Sequence, residues 1–237
     1  MRLALAAVAA VATLSAATPA LARGRLDGDG NVTTEQRETG AFDRISLRGA
    51  VDAVVKVGPP RAVSVVVDSN LQPHVRARVE GSTLVVDTDD DVRPSREARV
   101  IVTVPELRAL ETRGSGEAVV DGGKGDLALD TTGSGEIRWR GEAARLEVTT
   151  RGSGEITLAG KAETLVGRTM GSGDIRAREL TAHDADVRTS GSGAVELTLG
   201  GGALRARTSG SGDVTWHGEG RVEEAKSAGS GSISRGG

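Results

Sequence analysis

From residue 114 onward apolar and polar positions alternate with period two, the mark of half-buried β-strands, and the alternation itself recurs along the chain. Count from the first Gly of each Gly-Ser-Gly triplet. The fifth place holds Ala118, Ile137, Ile156, Ile175, Val195, Val214 and Ile233; the seventh holds Val120, Trp139, Leu158, Ala177, Leu197 and Trp216. Place 14 holds Leu127, Leu146, Leu165 and Leu204, and place 16 holds Leu129, Val148, Val187 and Ala206, once an extra residue in the fourth repeat is allowed for. Place 18 reads Thr131, Thr150, Thr169, Thr189, Thr208 and Ser227. The triplets begin at Gly114, Gly133, Gly152, Gly171, Gly191, Gly210 and Gly229, at intervals of 19, 19, 19, 20, 19 and 19 residues. A flexible linker has no reason to keep such a period, whereas a stack of structural repeats does.

Counting in steps of two from place 14 carries the inward series through 16, 18, 1, 3, 5 and 7. Both glycines of the triplet are therefore expected to face inward, at a bend that glycine permits, and the Ser to face out. One repeat is too short to bury its own apolar side, and stacking at about 4.8 Å per coil buries it continuously. The expectation is an all-β, parallel β-solenoid. It is right-handed by the general preference of parallel crossovers. Propeller repeats are about twice as long.

The first half is less regular. Strand patterns fall at 42–47, 51–57, 62–67, 75–79, 84–87 and 99–104, with turn signals at Gly58-Pro59-Pro60 and Glu80-Gly81-Ser82. Hairpins fit these spacings. Residues 39–112 are read as an irregular β-rich start that caps the solenoid, in preference to a small separate sandwich. Residues 113–237 are the regular Gly-Ser-Gly part. Residues 23–38 are polar and Gly-rich and read as a mobile lead-in. Residues 1–22 combine Arg2, a short apolar run and Ala20-Leu21-Ala22 after Pro19, the pattern of a secretory signal peptide. The run is too short to span a bilayer, which takes about 20 apolar residues, and no later stretch is apolar enough for insertion. An exported location, periplasmic or extracellular, is expected.

Composition narrows the function classes. There is no Cys, so an exported chain of this kind is held by packing and backbone pairing, without disulfides. The 30 basic and 33 acidic residues leave a net charge of −3, which does not predict a nucleic-acid binder. The aromatics are Phe42, Trp139 and Trp216, too few for a stacking platform.

Two outward rows are candidate ligand-facing surfaces. One is Ser115, Ser134, Ser153, Ser172, Ser192 and Ser211, continued by Ser230. The other is acidic: Glu117, Glu136, Glu155, Asp174 and Asp213, all at place 4. Stacked carboxylates repel and invite cations. The plainer reading is neutralisation by Arg138 and Arg176 at place 6, or by Arg168, Arg188, Arg207 and Lys226 at place 17. Asp27-Gly28-Asp29-Gly30-Asn31 with Glu38 resembles a calcium loop, but Val32 stands where that loop needs Gly. The serines lie outside any G-x-S-x-G elbow, and His74, His183 and His217 share no motif with them. The Thr row falls on the inward parity, as do Trp139 and Trp216. No catalytic, cofactor or metal motif emerges.

The stretch FDRISLRGAVDAVVKVG, then VSVVVDSNLQPHVRARVEGSTLVVDT, followed by recurring GSGEI, resembles the bacterial family of putative autotransporter adhesin head (GIN) domains. The resemblance runs from Thr39 to Gly237. It implies an exported protein with right-handed β-helical architecture and an adhesin-like role, and it brings no catalytic motif. The expected function is a non-catalytic envelope or secreted binding module for a surface glycan or envelope protein. A polysaccharide-active β-helix enzyme, by fold analogy, and a purely structural envelope module are the alternatives.

Overall fold

The computed structural model describes residues 25–89 and 92–237. The expected signal peptide lies outside the described residues. The first strands are β1 Leu26–Asp27, β2 Val32–Gln36, β3 Arg44–Gly49, β4 Asp52–Val57 and β5 Ala62–Asp68, followed by a 3₁₀ turn at Ser69–His74. Then come β6 Val75–Glu80, β7 Thr83–Thr88, β8 Val92–Arg93 and β9 Arg99–Val104. The repeats contribute β10 Ala109–Gly114, β11 Glu117–Asp121, β12 Leu127–Gly133, β13 Glu136–Gly152, β14 Glu155–Gly171, β15 Asp174–Gly191, β16 Val195–Gly210, β17 Val214–Gly229 and β18 Ile233–Arg235.

From β10 to β18 every pairing between coils is parallel and triplet lies on triplet: Gly114 pairs Gly133, Gly133 pairs Gly152, and so on to Gly210 and Gly229. This is a parallel β-solenoid with a coil of about 19 residues. The inward ladder is continuous. Ile137, Ile156, Ile175, Val195 and Val214 stack in register and are buried, as are Leu146, Leu165 and Leu204 at place 14. One apolar cluster runs from Phe42 to Trp216. Burying each Ile or Leu contributes roughly 1.5–3 kcal/mol, and no coil could bury them alone.

The triplet is a corner, and its two glycines serve different ends. The third glycine (Gly135, Gly154, Gly173) is buried, as the alternation expects. The first is not: Gly152 is exposed, and it has φ +115°. Its equivalents in the other coils also have positive φ. The expectation that both glycines face inward is thus corrected. The parity count fails at that one residue, because the first glycine adopts a backbone conformation that L side chains rarely take, and it holds again from the Ser and the third glycine onward. A Cβ on either glycine would strike the coil beneath, 2.6 Å from the Gly133 carbonyl at Gly152 and 2.5 Å from the Gly135 carbonyl at Gly154. The Ser between them donates its N–H to the first-Gly carbonyl below, as in Ser153 to Gly133 at 2.9 Å, while its side chain points to solvent.

Inside the corner the Thr row closes the hydrogen bonding. Thr131 donates to the Gly135 carbonyl at 3.2 Å and Thr208 to the Gly212 carbonyl at 2.6 Å. Thr112 donates to Thr131 at 2.9 Å, and Thr189 to Thr208 at 2.8 Å. Thr169 Oγ1 is buried without a partner among the described residues.

The first half is threaded out of order. β3 and β4 form a coil in which Gly49 (φ +87°) aligns with Gly114. Above it lie β10 and β11; beneath it lie β7 and β9, which come later in sequence. β6 then runs antiparallel to β7, β5 antiparallel to β9, and β2 antiparallel to β5. Parallel stacking thus ends in antiparallel strands at this end, which covers the apolar column. The 23–38 stretch, read as mobile, holds two strands within its described part: β1 pairs β8 and β2 pairs β5. Asp68 anchors it. This fully buried carboxylate accepts from Gly30 N at 2.8 Å, Ser95 N at 2.8 Å and Ser95 Oγ at 2.5 Å.

Those hydrogen bonds, the Ser95 hydroxyl first, hold the Asp68 carboxyl below its ordinary value. The folded pKa is depressed, so the associated stability is fully present above the unfolded value and is lost as pH falls through the folded one. Asp68→Asn should therefore lose about 1–3 kcal/mol at neutral pH. It should also show a flatter decline than the parent below about pH 4. Urea unfolding between acidic and neutral pH measures both, and parallel acid limbs would show that Asp68 is not a native carboxylate.

Candidate functional site: the outward ladders

Stacking in register turns every outward place of the coil into a column. The serine column stands as expected: Ser115, Ser134, Ser153, Ser172, Ser192 and Ser211 are all exposed. Their hydroxyls make no hydrogen bond within the described residues, and their backbone N–H groups carry the structural contact. The column is thus a line of free hydroxyls at the coil spacing of about 4.8 Å.

The acidic column is also brought together, but it is occupied by the protein itself. Glu117 and Glu136 both pair with Arg138, the second at 2.6 Å. Glu155 pairs with Arg176 at 2.7 Å, and Asp174 lies 3.7 Å from the same guanidinium. Where the residue is Asp, the short side chain reaches the next coil's backbone. Asp174 accepts from Ala194 N at 2.9 Å, and Asp213 accepts from Ser232 N and Ser232 Oγ, each at 2.7 Å. The Ser232 hydroxyl and N–H hold the Asp213 carboxyl below its ordinary value. Asp52 does the same service from below, accepting from Glu117 N at 2.9 Å. Among the described residues no group of three His, Cys, Asp or Glu is placed to hold a metal ion. The neutralising bases are those of place 6. The place-17 bases pair elsewhere: Arg188 with Asp186 at 3.3 Å, Arg207 with Glu224, and Lys226 with Glu224 at 2.7 Å. Their expected pairing with the acidic column is corrected, because the Gly-Ser-Gly corner separates the two columns.

The remaining candidates are structural. In the calcium-like loop Asp29 accepts from Asn31 N at 2.9 Å and Ser69 Oγ at 2.6 Å, and Asp29 N donates to Asn70 Oδ1 at 3.1 Å. The loop is docked on the end of β5. Trp139 is buried and donates to the Gly122 carbonyl at 2.9 Å; Trp216 is buried under the Arg235 guanidinium, 4.9 Å from its ring centre. His74 and His217 face Asp89 and Glu196, at 2.9 and 3.0 Å. One surface feature escaped sequence reading: Ile101, Val54 and Val119 form an exposed aliphatic row across β9, β4 and β11. Its members lie far apart in sequence, so no local pattern announces it.

A family model described as putative auto-transporter adhesin, head GIN domain, matches residues 41–220. Among solved structures, the chain is similar to a putative lipid binding protein from Parabacteroides distasonis, at 24% identity over 90% of this chain and 100% of that one, with TM-score 0.73. A putative adhesin from Bacteroides fragilis is 20% identical over 89% and 99% of the two chains, with TM-score 0.82. Another from Parabacteroides merdae is 20% identical over 90% and 99%, with TM-score 0.67. These likenesses show the shared fold. No curated protein matches the chain. The family match covers most of the chain, its first coil and its repeats alike, and the chain belongs to the family described as putative auto-transporter adhesin, head GIN domain.

Proposed function

We propose that this chain is a non-catalytic, exported binding module of the cell envelope or cell surface. Its outward ladders engage a ligand that repeats along its own length, a surface glycan in the first place. The observation that carries this reading is the serine column, seven hydroxyls from Ser115 to Ser230 that the fold leaves free at a constant interval. A repeating ligand meets such a column at many equivalent points, and weak contacts then add by multivalency. The adhesin description of the family supports the same reading. Export rests on the signal-like character of residues 1–22 and on that description. No helix of the described residues is long and apolar enough to cross a membrane. A non-catalytic role is supported by the acidic column, whose carboxylates are engaged by Arg side chains and backbone N–H groups; glycoside hydrolysis requires one acid and one free base or nucleophile.

The test is a glycan array probed with the chain lacking residues 1–22, alongside a triple variant Ser153→Ala, Ser192→Ala, Ser211→Ala. Folding should be unchanged within about 0.5 kcal/mol, while array binding falls by about tenfold, or ~1.4 kcal/mol. Equal binding by parent and variant would remove the serine column from the function, and no binding by the parent would overturn the glycan reading.

A further inference from the structure

The place-17 column changes sign along the stack. Asp130 and Thr149 are followed in register by Arg168, Arg188, Arg207 and Lys226. Like charges directly opposite on neighbouring strands are destabilising, so four cations in a row repel one another along the stack. Local acids offset only part of the charge, through Asp186 and Glu224. Arg168, flanked on its strand by Val166 and Met170, makes no salt bridge among the described residues. The chain as a whole carries net charge −3, so the cationic row is a local feature.

The residues beside the row repeat with it. Arg188-Thr189-Ser190-Gly191-Ser192 and Arg207-Thr208-Ser209-Gly210-Ser211 are identical pentapeptides lying one above the other. Packing accounts for the buried Thr and for the Gly, but not for the outward places. In earlier coils the place of Ser190 is filled by Thr132, Arg151 and Met170. In the two identical coils each strand presents a guanidinium and then two hydroxyls. A groove of about 760 Å³ follows the first two of these rows, lined by Arg188, Ser190, Arg207, Ser209, Lys226 and Ala228; Arg168, one coil before Arg188 in register, and Ser192 and Ser211, at the corner, flank it outside its lining.

We propose that Arg168, Arg188, Arg207 and Lys226, with the hydroxyls of Ser190, Ser192, Ser209 and Ser211, form a binding site for a linear anionic polysaccharide. The polymer lies along the stacking axis, its carboxylate or sulfate groups on the cationic row and its ring hydroxyls on the serines. The proposal rests on the reading of the chain as a glycan-binding module and names the ligand class. Four cations at the coil spacing span about 14 Å, the length of a few sugar rings, and one charge per ring matches one cation per coil. Nucleic acid fits worse: Phe42, Trp139 and Trp216 are all buried, so no stacking surface accompanies the cations.

The experiment is titration calorimetry of the chain lacking residues 1–22 against four probes: an oligogalacturonate, a heparin-derived oligosaccharide, a neutral oligosaccharide of equal length, and a short single-stranded DNA. Each is measured at about 50 and about 200 mM salt. At least one anionic oligosaccharide should bind, more weakly at the higher salt, and tighter than the DNA and the neutral probe. The double variant Arg188→Gln, Arg207→Gln should lose about tenfold or more in affinity with a melting temperature close to the parent's, since the repulsion relieved in the column is set against the loss of the Arg188–Asp186 and Arg207–Glu224 pairs. Arg168→Gln, which breaks no ion pair, should weaken binding on a fold that cannot be in question. Arg138→Gln, the loss of a cation on the other side of the corner, should leave affinity unchanged. The proposal is overturned by any of these results: no anionic oligosaccharide bound, unchanged affinity in both place-17 variants, equal loss in Arg138→Gln, or DNA bound as tightly as the glycans. Binding of a neutral glycan that depends on the serines but not on the arginines would sink this site and leave the binding-module reading standing. A chain that binds no glycan at all would sink both.

Discussion

Ile156→Asp is expected to cost about 4 kcal/mol or more, a large part of the roughly 5–15 kcal/mol that holds a domain folded. Ile156 is fully buried and lies in register between Ile137 and Ile175. The substitution removes its apolar burial, about 1.5–3 kcal/mol, and places a carboxylate where its stacked neighbours are apolar. Because every coil is supported by the coils above and below, damage in the middle of the stack propagates both ways. Ile156→Val should cost only about 0.5–1.5 kcal/mol, which gives a graded pair for urea unfolding followed by circular dichroism. A parent-like midpoint for the Asp variant would mean that place 5 does not face the core.

The second large effect belongs to the corner. Gly154→Val and Gly152→Val should each destabilise by about 2–4 kcal/mol, for different reasons. At Gly154 the new side chain enters the interior, where a Cβ would already lie 2.5 Å from the Gly135 carbonyl and 2.8 Å from Thr131 Oγ1. At Gly152 the strain is in the backbone, since φ is +115°, and the Gly133 carbonyl adds a clash at 2.6 Å. Ser153→Ala between them should leave stability within about 0.5 kcal/mol of the parent. Thermal unfolding of the three variants reads the contrast. Were Ser153→Ala as damaging as either Val, its hydroxyl would be a structural group and the free column would not exist.

Much of the fold can be read from the chain because each coil repeats the same environment. A strand of period two, recurring at a near-constant interval, sets both the face and the register, since a slip by one residue would turn Ile137, Ile156 and Ile175 to solvent together. The outward serines and acids follow from the same parity, so the candidate columns were legible as columns. Their chemistry was legible only in part: Arg138 and Arg176 at place 6 do pair with the acids, whereas the place-17 bases do not. Whether Glu155 is free or bound depends on Arg176, which sits in the next coil at another place. Whether Arg188 and Arg207 stand apart from the acids depends on where the corner turns.

The sequence alone determined the stacked repeat, its inward Ile, Leu and Thr rows, and the need for glycine at the corner, because these are local patterns multiplied by a period. Only the tertiary structure decided what has no period. The first coil is gripped between strands that follow it in the chain, and Asp52 caps the N–H of Glu117, 65 residues away. The 23–38 stretch is held as strands by the buried carboxylate of Asp68, whose partners Gly30 and Ser95 lie on opposite sides of it in sequence. The first glycine of each triplet leaves the alternation at that one residue, where a positive φ turns the chain, while the Ser and the third glycine keep the facing that the count assigns. Contacts of this kind depend on chain closure over long separations, and no short-range pattern of apolar and polar residues encodes them.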